Sequence, residues 1–158
     1  MVFIIWLVFT VIAAIYFISS RLVNYDPEEK LTGQNSVFVM QELRKIAQLN
    51  NVDLSDTIIH FTSDHCACTQ YSEAHKKEIN EQAGLTGFKV INVNLPAKLS
   101  TIIPSTPSIM IVSDTQDLLY LGPYSIGLAC TESNGYVETV MKNYGKGYRS
   151  DLILSDAS

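Results

Sequence analysis

The segment from Val2 to Ile18 constrains the fold more than any other feature of the chain, because it is apolar at every position except Thr10. An α-helix of this length spans about 26 Å, which is close to the thickness of the hydrocarbon core of a bilayer. A cleaved signal peptide would carry a basic segment before a shorter apolar core. Since no Lys or Arg precedes the run, we predict a transmembrane anchor over residues 1–21, with a cleaved signal and a buried core helix as alternatives.

The rest of the 158-residue chain is long enough to form one domain with its own core. The net charge is −5, and the absence of a basic stripe gives no support for binding to nucleic acid. Residues 22–32 are polar and contain Pro27, which is typical of a linker. We therefore predict a linker over residues 22–32, a domain over residues 33–148 and a flexible tail over residues 149–158. A single domain after a short N-terminal anchor is expected outside the cytoplasm.

Apolar periodicity and turn residues predict alternating helices and strands in the domain. The helices are expected over residues 36–49, over residues 69–83 with a stop at Gly84, and from about residue 132 to residue 144. The strands are expected over residues 57–61, 88–93, 109–112 and 118–121. This order predicts the α/β class, with a crossover in the first half and an antiparallel hairpin with a closing helix in the second.

Two of the three cysteines lie between a predicted strand and a predicted helix, in the segment Ser63-Asp-His-Cys-Ala-Cys-Thr-Gln70. The unpaired N–H groups and the positive dipole end of a helix N-terminus favour the thiolate form of Cys66 and Cys68. A thiolate attacks disulfides or binds metal, and His65 beside it can share a proton or supply positive charge. The pattern therefore indicates thiol–disulfide exchange, with metal binding and an inert pair of loop thiols as the alternatives.

The order of a strand, a cysteine pair, a helix, a strand and then Thr106-Pro107 before another strand resembles the thioredoxin-like superfamily, over roughly residues 36–144. The layout is most similar to small membrane-anchored bacterial thioredoxin-like proteins of unassigned function. The resemblance implies a thioredoxin-like fold, with a central mixed sheet flanked by helices. It also implies a protein of the bacterial inner membrane with a periplasmic domain, whose partners are protein thiols or disulfides.

The same resemblance assigns roles to individual residues. Cys66 and Cys68 would be the catalytic thiols of a thiol–disulfide oxidoreductase, and Thr106, Pro107 and His65 would contact substrate. The Thr106–Pro107 peptide bond would be cis, with the proline ring facing Cys66. In that fold the connection before the last helix lies beside the cysteine motif, so Cys130 would act as a resolving thiol, unless it is a buried packing residue.

The motif itself departs from the superfamily, whose cysteines are separated by two residues. Here they are separated by one, and Thr69 occupies the place of the second cysteine. A disulfide between Cys66 and Cys68 would close a small, strained ring that is easily reduced. No cofactor is required for exchange, but two other functions stay open. One is copper or zinc binding by Cys66, Cys68, His65 and Cys130, and the other is a non-catalytic binding module.

The remaining histidines and the tyrosines have structural interpretations. His60 lies inside a predicted strand and is expected in the core, whereas His75 stands beside two lysines and is expected on a solvated helix face. Aromatic packing in the core and at its rim accounts for four tyrosines, namely residues 120, 124, 136 and 144.

Overall fold

The structure is a computed structural model that describes residues 2–21, 24–64, 69–96, 101–124 and 135–155. In these residues the helices are α1 (Val2–Arg21), α2 (Ser36–Leu43), α3 (Thr69–Thr86) and α4 (Tyr136–Tyr144). The strands are β1 (Thr57–Thr62), β2 (Lys89–Asn94), β3 (Ser108–Val112), β4 (Leu118–Gly122) and β5 (Leu152–Ile153).

The five strands form one mixed sheet in the order β2-β1-β3-β4-β5. β1 and β2 are parallel and are joined through α3, whereas β3 is antiparallel to both β1 and β4. Residues of β1, β3 and β4 are buried on both faces, with one partial exception at Thr62, which suits runs of β-branched and aromatic side chains. The predicted α/β class, with a mixed sheet flanked by helices, is confirmed.

Each face of the sheet packs against different helices. On one face, Val39 and Leu43 of α2 pack with Phe61 of β1. On the other face, Ile79 of α3 and Val137 of α4 pack in a second cluster with side chains of β1, β3 and β4. The sheet is therefore the middle layer of the domain, and α3 and α4 share one of its faces.

The apolar helix α1 stands apart from these two clusters. Its window from Val2 to Ser19 has a mean hydropathy of 2.6, and none of that window is buried in the domain. The chain thus has one N-terminal helix that is long and apolar enough to cross a membrane.

The bounds of three helices differ from the predicted ones for local reasons. α2 ends at Leu43 instead of residue 49, and the chain continues in tight turns that still bury Ile46 and Leu49. α3 runs through Gly84 and ends before Gly87, whose φ of 83° reverses the chain. α4 begins at Tyr136, with Gly135 as its N-cap.

The predicted linker and the predicted tail both differ from the structure. Tyr25, Asp26 and Leu31 are buried in the domain, because the carboxylate of Asp26 folds the polar segment into a turn. It accepts hydrogen bonds from the backbone N–H groups of Lys30 at 2.9 Å and Leu31 at 2.6 Å. In the predicted tail, Leu152 and Ile153 are held as well, since they form β5 and pair with the edge of β4.

Replacing Asp26 with alanine is expected to lower the free energy of unfolding by about 2 kcal/mol, because one buried and one partly buried backbone N–H group lose their acceptor. Asp26→Asn keeps one acceptor oxygen and should lose less, and Glu28→Ala is the matched control, because that side chain is 70% exposed. The measurement is urea unfolding of the full-length protein in mild detergent, followed by tyrosine circular dichroism, since the single tryptophan, Trp6, lies in α1. Equal effects of Asp26→Ala and Glu28→Ala would show that this segment is a linker after all.

Candidate functional site

The predicted cysteine site is bracketed by two described elements. β1 ends at Thr62, and α3 begins at Thr69. Two residues after β1, Asp64 accepts a hydrogen bond of 2.6 Å from the side-chain amide of Asn94, which is the last residue of β2. The predicted catalytic and metal-ligating residues themselves, Cys66, Cys68, Cys130 and His65, lie outside the described residues.

The proline that leads into β3 has the geometry that the sequence predicts. The Thr106–Pro107 peptide bond is cis. The next residue, Ser108, is opposite Phe61 in the antiparallel register of β3 and β1. One further step of the same register sets Pro107 opposite Thr62, so the proline lies at the end of β1 from which the chain continues toward the cysteines. The substrate-binding role of Thr106 and Pro107 stays a prediction.

A buried polar group lies on the α3 side of β1, around His60. Its Nε2 is 2.9 Å from the side-chain oxygen of Asn80 in α3, and its Nδ1 is hydrogen-bonded to the hydroxyl of Tyr124. Because the Asn80 oxygen can only accept, His60 carries its proton on Nε2 and accepts the Tyr124 hydroxyl proton on Nδ1. The two rings stack with centroids 5.6 Å apart. The prediction that His60 is a core residue is confirmed.

Burial keeps this group uncharged. It lowers the pKa of His60 to about 4, an effect that the hydrogen bond to Asn80 opposes and the nearby charge of Lys76 reinforces. Burial also raises the pKa of the Tyr124 phenol well above its usual range. A protonated His60 would turn a second N–H toward the Tyr124 hydroxyl, which would then have to accept this hydrogen bond and could no longer donate it.

A second buried group joins α3 to α4. His75 is only 2% exposed, and its Nε2–H donates to the Glu138 carboxylate in the first turn of α4. The His75 ring also meets the edge of Tyr124, with centroids 5.9 Å apart. The carboxylate lies against Gly135, where an added Cβ would come within 2.5 Å of Oε2. Any other residue at position 135 would therefore displace the Glu138 carboxylate.

The prediction of a solvated His75 is wrong. The buried face of α3 is formed by Ser72, His75, Ile79 and Ala83, which recur at helical spacing. Two of these four are polar, so the face has little apolar signal in the sequence, and the neighbouring lysines suggest exposure. The partner of His75 is in α4, and no local pattern in the sequence connects the two residues.

His75 and the backbone N–H groups at the start of α4 set the charge of Glu138. Burial would raise the pKa of this carboxyl, but hydrogen bonds from His75 and from backbone N–H groups at the start of α4 outweigh that effect. The pKa of Glu138 is therefore held below its usual value. An ionised acid thus faces His75 at neutral pH.

The tyrosines behave as their packing interpretation predicts. Tyr120 and Tyr124 are buried, whereas Tyr136 is 45% exposed and Tyr144 lies at the rim. The Tyr120 hydroxyl donates to the carbonyl of Pro123 at 2.6 Å. This hydrogen bond fixes the backbone directly after β4, next to Tyr124, whose hydroxyl is hydrogen-bonded to His60.

Within the part of the chain that the structure describes, no group of three or more His, Cys, Asp or Glu side chains is arranged to hold a metal ion. The predicted copper or zinc ligands, Cys66, Cys68, Cys130 and His65, all fall outside that part. What the structure provides is a cis-proline at one end of the sheet, the helix α3 that begins seven residues after β1 ends, and two buried polar groups on the inner face of that helix, around His60 and His75.

These features define an α/β domain with a mixed five-stranded sheet, carried on an apolar N-terminal helix. Residues 34–158 match the family model described as a domain of unknown function (DUF6436), and the chain belongs to this family. No curated protein and no solved structure is significantly similar to the chain.

Proposed function

We propose that the protein is a membrane-tethered, thioredoxin-like protein that carries out thiol–disulfide exchange through Cys66 and Cys68. The observation that carries this proposal is the position of Pro107, directly before β3. It lies at the end of the sheet from which β1 leads into the cysteine segment. A proline there presents its neighbouring backbone to a peptide that approaches the thiols.

The topology supports the same assignment. The parallel pair of β1 and β2 is joined through α3, the β3–β4 hairpin follows, and α4 closes the unit. This order corresponds to the central part of a thioredoxin-like fold, and β5 is an addition at the edge. The start of α3 directly after the cysteines would expose them to unpaired N–H groups, which favour the thiolate.

The chemistry proceeds in two balanced steps. The Cys66 thiolate attacks one sulfur of a substrate disulfide, so that a mixed disulfide forms, the substrate S–S bond breaks, and the departing thiolate takes a proton. Cys68 or Cys130 then loses its proton and attacks the sulfur of Cys66. This releases the reduced substrate and leaves the protein oxidised, with a disulfide that a dithiol protein partner must reduce. In the opposite direction the protein oxidises its substrate.

The two buried histidine groups support this site by fixing its frame. His60 connects β1 to α3 through Asn80, and His75 connects α3 to α4 through Glu138. The helix that follows the cysteines is thus connected on its inner face to a strand and to a second helix.

We further propose that the protein lies in the inner membrane of a bacterium, with its domain in the periplasm, where disulfides persist.

Single cysteine substitutions test the proposal. Cys68→Ser should trap mixed disulfides with partner proteins if Cys68 is the resolving thiol, and Cys130→Ser should do so if Cys130 has that role. Cys66→Ser should abolish the adducts in either background, because the thiol that attacks the substrate disulfide is lost. The measurement is non-reducing electrophoresis of the full-length protein after acid quenching.

Two results would contradict exchange. A reduced, metal-free protein whose Cys66 is not alkylated at neutral pH would be a binding module without catalysis. Stoichiometric copper or zinc that copurifies with the protein, protects its thiols from alkylation and is lost in each cysteine variant would show a metal site instead.

A further inference from the structure

The connection between the apolar helix and the domain is very short. α1 ends at Arg21, and Tyr25 is already buried in the domain at 6% exposure. Only residues 22–24 separate Arg21 from Tyr25, so the Cα atoms of these two residues are at most about 14 Å apart. A free linker over residues 22–32 would allow more than twice that reach. The domain is therefore confined close to the end of α1.

The attachment point is firmly part of the domain. The Asp26 carboxylate holds the turn that follows, and Leu31 fills the same core cluster as Tyr25. Burial, which the neighbouring Ser108 hydroxyl opposes, raises the pKa of the Tyr25 phenol well above its usual range. The segment cannot lengthen the tether without exposing these side chains.

This attachment lies beside the cis-proline loop. The Ser105 hydroxyl donates a hydrogen bond of 2.7 Å to the backbone carbonyl of Tyr25, and Ile103 of the same loop packs in the cluster that contains Tyr25. The chain therefore holds Ser105 within about 20 Å of the end of α1. Asp114 and Lys89 mark the opposite end of the sheet, beyond the length of β1.

The surface around the attachment does not favour lipid itself as the ligand. Among the described side chains of residues 24–30, Asn24, Pro27, Glu28 and Glu29 are exposed, and Lys30 is paired with Glu28 at 2.9 Å. A polybasic patch would draw the domain onto anionic headgroups, and these described residues form none. We therefore expect a protein, and not lipid, as the ligand at this surface beside the bilayer.

We infer that the exchange site is held at the membrane surface and that its substrates are thiols or disulfides of proteins embedded in the bilayer or bound to it. The inference rests on the proposed function for its chemistry and on the short tether for its geometry. The tether keeps the cis-proline end of the sheet beside the bilayer, which raises the effective concentration of membrane-bound substrates at this end. It does not raise the effective concentration of soluble proteins.

The geometry is tested without reference to the thiols. The full-length protein is placed in lipid nanodiscs that contain a headgroup-attached spin label, and backbone amide signals are recorded. Signals of Ser105 and Thr106 should broaden more than those of Asp114 and Lys89. Equal broadening at the two ends of the sheet, or stronger broadening at Asp114, would overturn the inference even if the exchange chemistry is present.

The substrate class is tested by lengthening the tether. About twenty Gly and Ser residues are inserted between Val23 and Asn24 of whichever cysteine variant traps adducts, which adds about 25 Å of reach. Adducts with membrane proteins should fall about tenfold, as the effective concentration falls. The matched control carries the same insert between Ser155 and Asp156 and should keep them.

The outcomes separate the two proposals. Adducts that involve mainly soluble proteins, or that do not respond to the insert after Val23, overturn the membrane-protein substrate class but leave exchange intact. A protein that forms no adducts in any cysteine variant overturns the proposed exchange, and the substrate class with it.

Discussion

Replacing His75 with leucine is expected to lower the free energy of unfolding by about 3 kcal/mol at pH 7. The substitution removes the donor of a buried hydrogen bond and leaves the Glu138 carboxylate, with a side chain only 12% exposed, without its side-chain partner His75. The cost should shrink below about pH 4.5, where the unfolded chain and then the folded protein protonate this acid. Urea unfolding of the full-length protein in detergent measures the change.

The double variant His75→Leu/Glu138→Leu separates the loss of the buried hydrogen bond to the Glu138 carboxylate from the loss of a packing contact. Because two apolar side chains of similar size leave no buried charge, the double variant should be clearly more stable than His75→Leu alone. Lys89→Ala breaks an exposed ion pair with Asp53 and should have little effect. A double variant that loses as much stability as the sum of the two single ones would show that the unpaired Glu138 carboxylate is not the source of the effect.

Acidification should destabilise the domain in the range between pH 6.5 and pH 4, by about 3 kcal/mol in total. The pKa of His60 is about 4 in the folded protein and returns to its usual value of 6.5 on unfolding. In this range the unfolded chain binds a proton that the folded protein does not, so stability falls as the pH falls. Above pH 6.5 the contribution of His60 is complete, and below pH 4 it is fully lost.

The variant His60→Gln is the control for this pH dependence. Its amide can still contact Asn80 and Tyr124 but does not titrate, so its stability should change less between pH 7.5 and pH 4.5 than that of the parent protein. The depressed pKa of Glu138 adds a loss only below about pH 4.5, outside most of this range. Parallel pH profiles of the two proteins would contradict the assignment of His60 as the titrating group.

Sequence patterns predicted the elements that are defined locally. β1, β3 and β4 are runs of β-branched and large apolar residues that end at polar turns or at Gly122-Pro123, and all three appear close to their predicted positions. The cis state of the Thr106–Pro107 bond followed from the resemblance to a known superfamily. These features depend on residues that are neighbours in the chain, which a pattern can detect.

Features that depend on distant residues were missed. Asp26 looks like part of a polar linker until its carboxylate meets the backbone of Leu31. His75 looks solvated until Glu138, which is remote in sequence, approaches it. α2 was predicted too long because Ile46 and Leu49 keep a helical spacing although the chain there forms turns. In each case a tertiary contact decides the structure, and the predicted cysteine cluster itself lies outside the described residues.

The burial of residues 25–31 also bears on where a soluble fragment of this protein should begin. A fragment that starts at residue 34, where the family match begins, omits Tyr25 and Leu31 and uncovers the faces of Leu43 and Ile103 that pack in the same cluster. Each large apolar side chain of this kind contributes about 1.5–3 kcal/mol when buried. Asn24 is therefore the natural first residue of a fragment that keeps its own core.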